Sequence, residues 1–203
     1  TDVSEVRYEL EKALYCAKEG RGGPVWLDVP LDVQGAPVDP LGLKGFEPPI
    51  EAASYQDASD PTVALIELLD QAERPLIIAG HGVRLSGAAE IFRQIVEKLG
   101  VPVVMTWNAL DILPYNHPLC IGRPGVVALR GPNFAVQNCD LLISIGCRLD
   151  NIITAYNPRG FARNARKVVI DVDANEITKL DMEIDLAVVS DAASFLLKFA
   201  DIV

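Results

Sequence analysis

The residues best suited to chemistry lie in short segments that each follow a predicted strand. These segments are Gly80 to Gly82, Thr106 to Asn108, Gly122 to Gly125, Gly146 to Asp150, and Asp171 to Asp173. In an open parallel sheet, ligands bind beyond the carboxyl ends of the strands, where the following helices offer free N–H groups and a positive dipole end. The sequence therefore predicts a ligand site at this edge.

The two glycines after the first strand do not complete a dinucleotide fingerprint. The GxGxxG pattern needs glycine or alanine where this chain has Leu85, and the next glycine is Gly87. The common NAD-binding mode is therefore disfavoured. The competing interpretation of Gly80 and Gly82 is a tight turn from strand to helix, since glycine adopts positive φ at little steric cost.

Arg148 and Asp150 follow the fourth predicted strand and suit a nucleotide. The planar guanidinium of arginine binds phosphate through two parallel hydrogen bonds, and a carboxylate accepts from a ribose hydroxyl. The alternative is that the two side chains pair with each other or face solvent. Spacing alone leaves both interpretations open.

Histidine and paired acids supply no recognisable catalytic motif. His81 and His117 have no serine or cysteine nucleophile identifiable by motif, so a catalytic triad is not supported. Asp171 and Asp173 could bind a metal ion, but two acids at a strand end more often cap the next helix. We therefore predict neither catalytic residues nor a metal site in this chain.

The four cysteines, Cys16, Cys120, Cys139 and Cys147, form no CxxC pair and have no histidine at ligand spacing. This pattern supports neither a zinc site nor a redox motif. Free cysteines are commonly buried, so we expect reduced core residues and a cytoplasmic protein.

The elements that must position these segments alternate between helix and strand. Helices are predicted over residues 61–73, 86–99, 133–138 and 192–202, and strands over 75–79, 102–106, 119–121, 141–145, 167–171 and 187–189. The strands are uniformly apolar, as expected when helices cover both faces of a parallel sheet. The predicted fold class is α/β, a doubly wound and mostly parallel Rossmann-like sheet.

The first thirty residues are predicted to form a separate helix and strand. Residues 3–18 have a helical period, and residues 25–29 form a short apolar strand with no sheet of its own to join. The proline- and glycine-rich stretch 35–58 is predicted as a linker. Because residue 1 is threonine and the strand is an orphan, the chain is expected to be a fragment of a longer enzyme.

Composition excludes two classes of partner. The net charge of −10 would repel a nucleic-acid backbone. The longest apolar runs fall well short of the roughly 20 residues of a membrane-spanning helix. We therefore expect neither nucleic acid nor a membrane as a partner.

Taken together, the segments resemble the central domain of thiamine-diphosphate-dependent enzymes of the acetolactate synthase type. The matching stretches are GPVWLDVPLDVQ at 23–34, ERPLIIAGHGV at 73–83, LGVPVVMTWNALDILP at 99–114, NCDLLISIGCRLDN at 138–151 and KVVIDVDANEI at 167–177. The resemblance implies three domains in the parent. Residues 1–34 would be the last helix and strand of a truncated pyrimidine-binding domain, 35–58 a linker, and 59–203 the central nucleotide-binding-type domain.

The resemblance also implies cofactors and partners. Thiamine diphosphate and Mg²⁺ would bind in the pyrimidine- and diphosphate-binding domains outside this chain, and the parent would be a homo-oligomer, a dimer or tetramer. The central domain would hold FAD, another adenine nucleotide or nothing. By matched position, the cofactor candidates are Gly80, Gly82, Thr106, Gly122, Gly146, Arg148, Asp150, Glu176, Ile177 and Asp191.

Three motifs depart from the family pattern. The family's GGG is GHG at 80–82, its GMHG is GRPG at 122–125, and its RFDDR is RLDNI at 148–152. Ile152 replaces an arginine and Pro124 stiffens its loop, and both changes count against FAD.

The leading hypothesis for the parent is decarboxylation and carboligation of a 2-oxo acid, with pyruvate as the substrate, while the chain alone lacks activity. Two alternatives remain. One is a nucleotide-binding module similar to the FAD domain of electron-transfer flavoproteins. The other is a purely structural domain of a related thiamine-diphosphate enzyme that acts on another 2-oxo acid.

Overall fold

A computed structural model describes residues 2–49 and 60–203 of the chain. Contacts divide the chain into two compact units, Thr1–Ala53 and Ser54–Val203. The predicted linker residues 50–58 lie outside the described residues, so the structure says nothing about that part of the linker.

The first unit contains helix α1, Val6–Lys18, and the short helix α2, Leu31–Gln34. Part of the predicted linker packs against α1. Phe46 contacts the rings of Tyr8 and Tyr15 at centroid distances of 5.5 and 5.4 Å, and its N–H donates to Glu11 Oε2 over 2.7 Å. The segment around Phe46 therefore packs on α1 through aromatic contacts and a charge-assisted hydrogen bond.

The predicted strand at residues 25–29 is wrong as an element of this structure, because these residues form neither helix nor strand. A strand is stabilised by hydrogen bonds to a neighbouring strand, and the described part of this unit contains no other strand. The segment is apolar but exposed, with Trp26 91% exposed.

The second unit is built on six strands. They are β1 Pro75–Ala79, β2 Val103–Met105, β3 Cys120–Gly122, β4 Leu141–Ile145, β5 Arg166–Asp171 and β6 Leu186–Val189. All pair in parallel in the order β3-β2-β1-β4-β5-β6. This order reverses direction between β1 and β4, so the predicted doubly wound parallel sheet is confirmed.

Six α-helices belong to this unit among the described residues: α3 Pro61–Gln71, α4 His81–Leu85, α5 Ala89–Leu99, α6 Arg130–Asn138, α7 Ala174–Thr178 and α8 Ala192–Ala200. The helix predicted over 86–99 begins later, because Gly87 has φ +76° and separates α4 from α5. Glycine tolerates this left-handed conformation. Helices α4 and α7 were not predicted, since five residues are too few to show a helical period.

Two hydrophobic cores lie on opposite faces of the sheet. Alternate residues of one strand enter different cores: Ile77 packs with Phe92 of α5 and Phe195 of α8, whereas Ile78 packs with Val136 of α6. Side chains alternate across a strand, so a sheet covered on both sides needs apolar residues at most positions of its strands. The buried polar exceptions are Ser144 of β4 and Lys167 and Asp171 of β5, and each takes part in a hydrogen bond with the backbone.

Candidate functional site

The sheet topology gathers the candidate residues along one edge. All six strands are parallel, so their carboxyl ends lie together, and each candidate follows one of them. Gly80 and Gly82 follow β1, Thr106 follows β2, Gly122 ends β3, Gly146, Arg148 and Asp150 follow β4, Glu176 and Ile177 follow β5, and Asp191 follows β6. The candidates therefore extend over the whole width of the sheet.

The three glycines after β1 and β4 allow two backbone segments to touch. A Cβ atom on Gly80 would lie 2.0 Å from the Gly146 carbonyl oxygen, and one on Gly82 would lie 2.7 Å from Gly146 Cα. The Gly82 N–H donates to the Gly146 carbonyl over 3.0 Å, and the Gly80 N–H donates to Ile145 over 2.9 Å. These amides stabilise the contact between the two turns, at the point where a Rossmann-type crevice would open.

Arg148 and Asp150 interact weakly with each other. Arg148 Nη2 lies 4.0 Å from Asp150 Oδ2, and both side chains are about half exposed. The other carboxylate oxygen, Oδ1, accepts from the N–H groups of Ile152 and Ile153 over 3.0 and 3.1 Å. Asp150 thus stabilises its own turn, as aspartate commonly does, and Arg148 extends into solvent.

The loop after β3 reaches the loop after β4. Gly122 and Gly125 have φ of +110° and +119°. A Cβ on Gly125 would lie 2.5 Å from the Ile152 carbonyl oxygen, and the Val126 N–H donates to that oxygen over 2.9 Å. The Asn133 amide holds Gly125 from both sides, at 2.8 and 2.9 Å. The two loops are therefore joined by backbone contacts that only glycine permits.

Arg123 and Trp107 form a stacked pair that was not among the candidates. The Arg123 guanidinium carbon lies 4.4 Å from the centroid of the Trp107 ring, and Nε donates to the Val127 carbonyl over 3.2 Å. Both residues lie in strand-end segments singled out from the sequence. The signal that could have identified them is the arginine within GRPG at 122–125, together with the aromatic ring after β2.

His81 and Thr106 connect the ends of β1 and β2. His81 Nδ1 lies 3.0 Å from the Asn108 carbonyl, and the Thr106 N–H donates to the Ala79 carbonyl over 3.0 Å. Both residues are half-buried. His81 therefore has a structural partner in the loop after β2.

The acids after β5 and β6 cap helices. Asp173 accepts from the Asn175 N–H at the start of α7, and Asp191 accepts from the Ala193 and Ser194 N–H groups at the start of α8. The capping interpretation is confirmed for Asp173 and not for Asp171, which ends β5 and accepts from the Asp173 N–H over 3.0 Å. Ile177 is buried in the core against α6, and Glu176 pairs with Lys179. The Ile177 side chain thus serves packing.

The four cysteines are free. Burial raises the pKa of Cys147 to about 12 and that of Cys139 to about 11, while Cys16 is exposed. Both buried thiols therefore stay protonated near neutral pH. Within residues 2–49 and 60–203, no group of three or more His, Cys, Asp or Glu side chains could hold a metal ion.

A cavity of about 660 Å³ lies elsewhere, beside α5 and the loop that follows β2. Its lining includes Arg93, Glu97, Tyr115 and His117 and none of the ten candidates.

Among the described helices, none is long and apolar enough to cross a membrane.

Curated relatives match nearly the whole chain. It is 34% identical over 200 residues to the "probable acetolactate synthase large subunit" of Methanocaldococcus jannaschii, with 95% of this chain and 33% of the relative covered. The acetolactate synthase large subunit of Lactococcus lactis subsp. lactis is 33% identical, covering 94% and 33%. The corresponding subunit of Corynebacterium glutamicum is 34% identical, covering 99% and 32%. The chain thus spans about a third of the length of these relatives.

The profile of one protein family covers most of the second unit. It is described as thiamine pyrophosphate enzyme, central domain, and it matches residues 63–199. The match includes all six strands and all ten candidate positions. The chain therefore belongs to the thiamine pyrophosphate enzymes and contains the central domain of that family.

Proposed function

We propose that this chain is the central part of a thiamine-diphosphate-dependent acetolactate synthase-like enzyme. The parent would decarboxylate a 2-oxo acid, with pyruvate as the proposed substrate, and join the remaining acyl unit to a second carbonyl compound. The observation that carries the proposal is the alignment of 94–99% of the chain with acetolactate synthase large subunits. These relatives also favour this function over a separate nucleotide-binding or purely structural module.

Thiamine diphosphate supplies the electron sink for chemistry next to a carbonyl. We place its site, and that of Mg²⁺, in the pyrimidine- and diphosphate-binding domains of the parent, because the relatives are about three times as long as this chain. This chain would contribute the scaffold between those domains. The parent is proposed to be a cytoplasmic homo-oligomer, a dimer or tetramer, whose partners include neither nucleic acid nor a membrane.

We also propose that residues 1–34 complete the pyrimidine-binding domain, 35–58 link it, and 59–203 form the central domain. Support comes from the irregular segment at 25–29, whose apolar side chains are exposed and whose backbone has no strand to pair with in the described part of its own unit. An apolar segment of this kind gains stability when it joins a sheet and leaves water.

The central domain is proposed to hold FAD or another adenine nucleotide at the carboxyl edge of its sheet. Support comes from the direction reversal between β1 and β4, where sheets of this class bind nucleotides. The residues fit the ligand in part. The amides of Gly80 and Gly82 are already used, whereas the Arg123–Trp107 pair and exposed Val127 offer a cation and apolar surface.

The test is an assay of the full-length protein with pyruvate, thiamine diphosphate and Mg²⁺, with acetolactate detected as acetoin after acid treatment. We expect acetolactate to form only when thiamine diphosphate is present, and we expect the 203-residue chain alone to consume no pyruvate. Turnover of another 2-oxo acid would change the substrate and retain the reaction class. An enzyme that is active without thiamine diphosphate would contradict the proposal.

A further inference from the structure

The glycine turns at the centre of the edge cannot offer their amides to a phosphate. The Gly82 N–H donates to the Gly146 carbonyl and the Gly80 N–H to Ile145, both at hydrogen-bond distance. A Cβ would clash at each of these glycines, so the two backbones leave no room between them. A phosphate that replaced these bonds would have to break the contact between the β1 and β4 turns.

Arg123 differs from most other arginines of the second unit in its partners. Arg74, Arg84, Arg93, Arg148 and Arg159 each lie within 4.0 Å of a carboxylate. Arg123 has no carboxylate within that distance among residues 2–49 and 60–203, and its recorded partners are the Trp107 ring and the Val127 carbonyl. Among the described residues Arg130, Arg163 and Arg166 also have no carboxylate within 4.0 Å, but all three are exposed. Arg123 differs from them because it is half-buried and contacts both an aromatic ring and a backbone carbonyl.

The orientation of Arg123 is fixed by these two partners. Stacking on an indole and donation by Nε hold the guanidinium plane, and the Nη groups carry the remaining donors of the fork. A guanidinium held in this way loses little conformational entropy when it binds an oxyanion. Arg123 is therefore preorganised for a phosphate.

The surroundings suit the rest of a nucleotide. Strands β3 and β4 are separated in the sheet by β2 and β1, a distance of about 14 Å for three strand spacings. The loop after β3 nevertheless contacts Ile152 in the loop after β4. Trp107, Val127 and Ile152 are exposed along this joined surface. Exposed apolar side chains next to a cation are suited to a ligand with a flat ring and a charged end.

We propose that Arg123, held against Trp107, binds the phosphate groups of the adenine nucleotide at this edge, in place of the glycine amides. This inference rests on the nucleotide site proposed above and names its phosphate-binding residue. The ligand class is a nucleoside diphosphate, bound through its phosphates by a single preorganised cation.

The experiment measures binding of ADP, FAD, inorganic diphosphate and adenosine to the 203-residue chain by calorimetry. We expect Arg123→Gln to weaken ADP and diphosphate by about 10- to 100-fold, the loss of a charge-assisted hydrogen bond, and to leave adenosine unchanged. Arg123→Lys keeps the charge but loses the planar fork, so its loss should be smaller. Arg163→Gln is the matched control, because Arg163 is exposed and lies three residues before β5, at the opposite edge of the sheet.

The outcomes separate this inference from the proposals on which it rests. Unchanged ADP affinity in Arg123→Gln would overturn the role of Arg123 and leave the nucleotide site standing. An equal loss of ADP affinity in Arg163→Gln would show that net charge alone causes the effect, and it would also overturn the role of Arg123. If the unsubstituted chain binds neither ADP nor FAD, the nucleotide site and this inference both fail, while the acetolactate assay still decides the activity. Thermal unfolding of each variant checks that it folds.

Discussion

Replacing Gly80 by alanine should destabilise the second unit strongly, because its Cβ would occupy the space of another backbone. The ideal Cβ position is 2.0 Å from the Gly146 carbonyl oxygen, whereas ordinary contact begins at 3.4 Å. The two turns would have to separate by the difference, about 1.4 Å, and neither side has a flexible side chain that could move instead. The clash therefore falls on the ends of β1 and β4.

The magnitude follows from the hydrogen bonds at this contact. A separation of that size would break the Gly82 to Gly146 bond at 3.0 Å and strain the Gly80 to Ile145 bond at 2.9 Å. Leaving a buried polar group unsatisfied costs about 1–3 kcal/mol, so Gly80→Ala should lower the free energy of unfolding by about 3–5 kcal/mol. Gly82→Ala, with its closest contact at 2.7 Å, should cost less, about 1–3 kcal/mol.

The assay is urea denaturation followed by circular dichroism, with the m-value compared between variants. Gly131→Ala is the matched control. Gly131 lies in α6, and a Cβ there meets nothing within 4 Å, so alanine should be neutral or stabilise by up to about 1 kcal/mol. If the free energy of unfolding of Gly80→Ala is within about 1 kcal/mol of that of the unsubstituted chain, the two turns can separate at little cost and the reasoning is refuted. Gly82→Ala keeps the test measurable if Gly80→Ala does not fold.

Two further predictions use the same chain. Asp191→Ala should lower the free energy of unfolding by about 1 kcal/mol, because it removes the cap of α8. Asp191→Asn should retain the cap, so the denaturation curves of the two variants should differ. Equal losses of stability in both variants would contradict a capping role. The second prediction concerns reaction of the cysteines with iodoacetamide at pH 8.5, followed by mass spectrometry. We expect Cys16 to be modified, and Cys139 and Cys147 to react only after denaturant is added. Burial raises the pKa of Cys139 to about 11 and that of Cys147 to about 12, so both thiols stay protonated in the folded chain. Labelling of Cys147 as fast as Cys16 in the folded chain would show that its burial is transient.

The occupied glycine amides change what the family resemblance implies about the site. The resemblance places Gly80, Gly82 and Gly146 among the cofactor candidates, and the structure shows that all three are needed where two backbones touch. A glycine required by packing and a glycine required by a phosphate look the same in a sequence, because both needs are met by the missing Cβ. The distinction requires knowing what lies opposite each glycine.

Secondary structure was predictable where the local pattern was long and regular. Strands β1 and β4 have the predicted bounds, because each is a mostly apolar run, interrupted in β4 only by Ser144, and is followed by glycine. The run 25–29 has the same local character but forms no strand, because strand formation depends on a neighbour that a local pattern cannot show. Helix α4 was missed because its five residues are too few to show a helical period.

The sequence by itself determined the fold class, the edge of the sheet on which the chemistry-bearing residues lie, and the family. These features depend on the order of apolar runs and on motifs that are local in the chain. Only the tertiary structure decided how the polar groups at that edge are used. The Gly80 and Gly82 amides donate to the end of β4 and the Gly146 amide donates to Ile170 of β5, Asp150 and Asp191 accept from backbone N–H groups two or three residues further on, and Arg123 lies over the Trp107 ring. The physical reason is that a hydrogen-bonding group is satisfied by whichever partner the fold brings within about 3 Å, and residues distant in the chain supply that partner as readily as near ones.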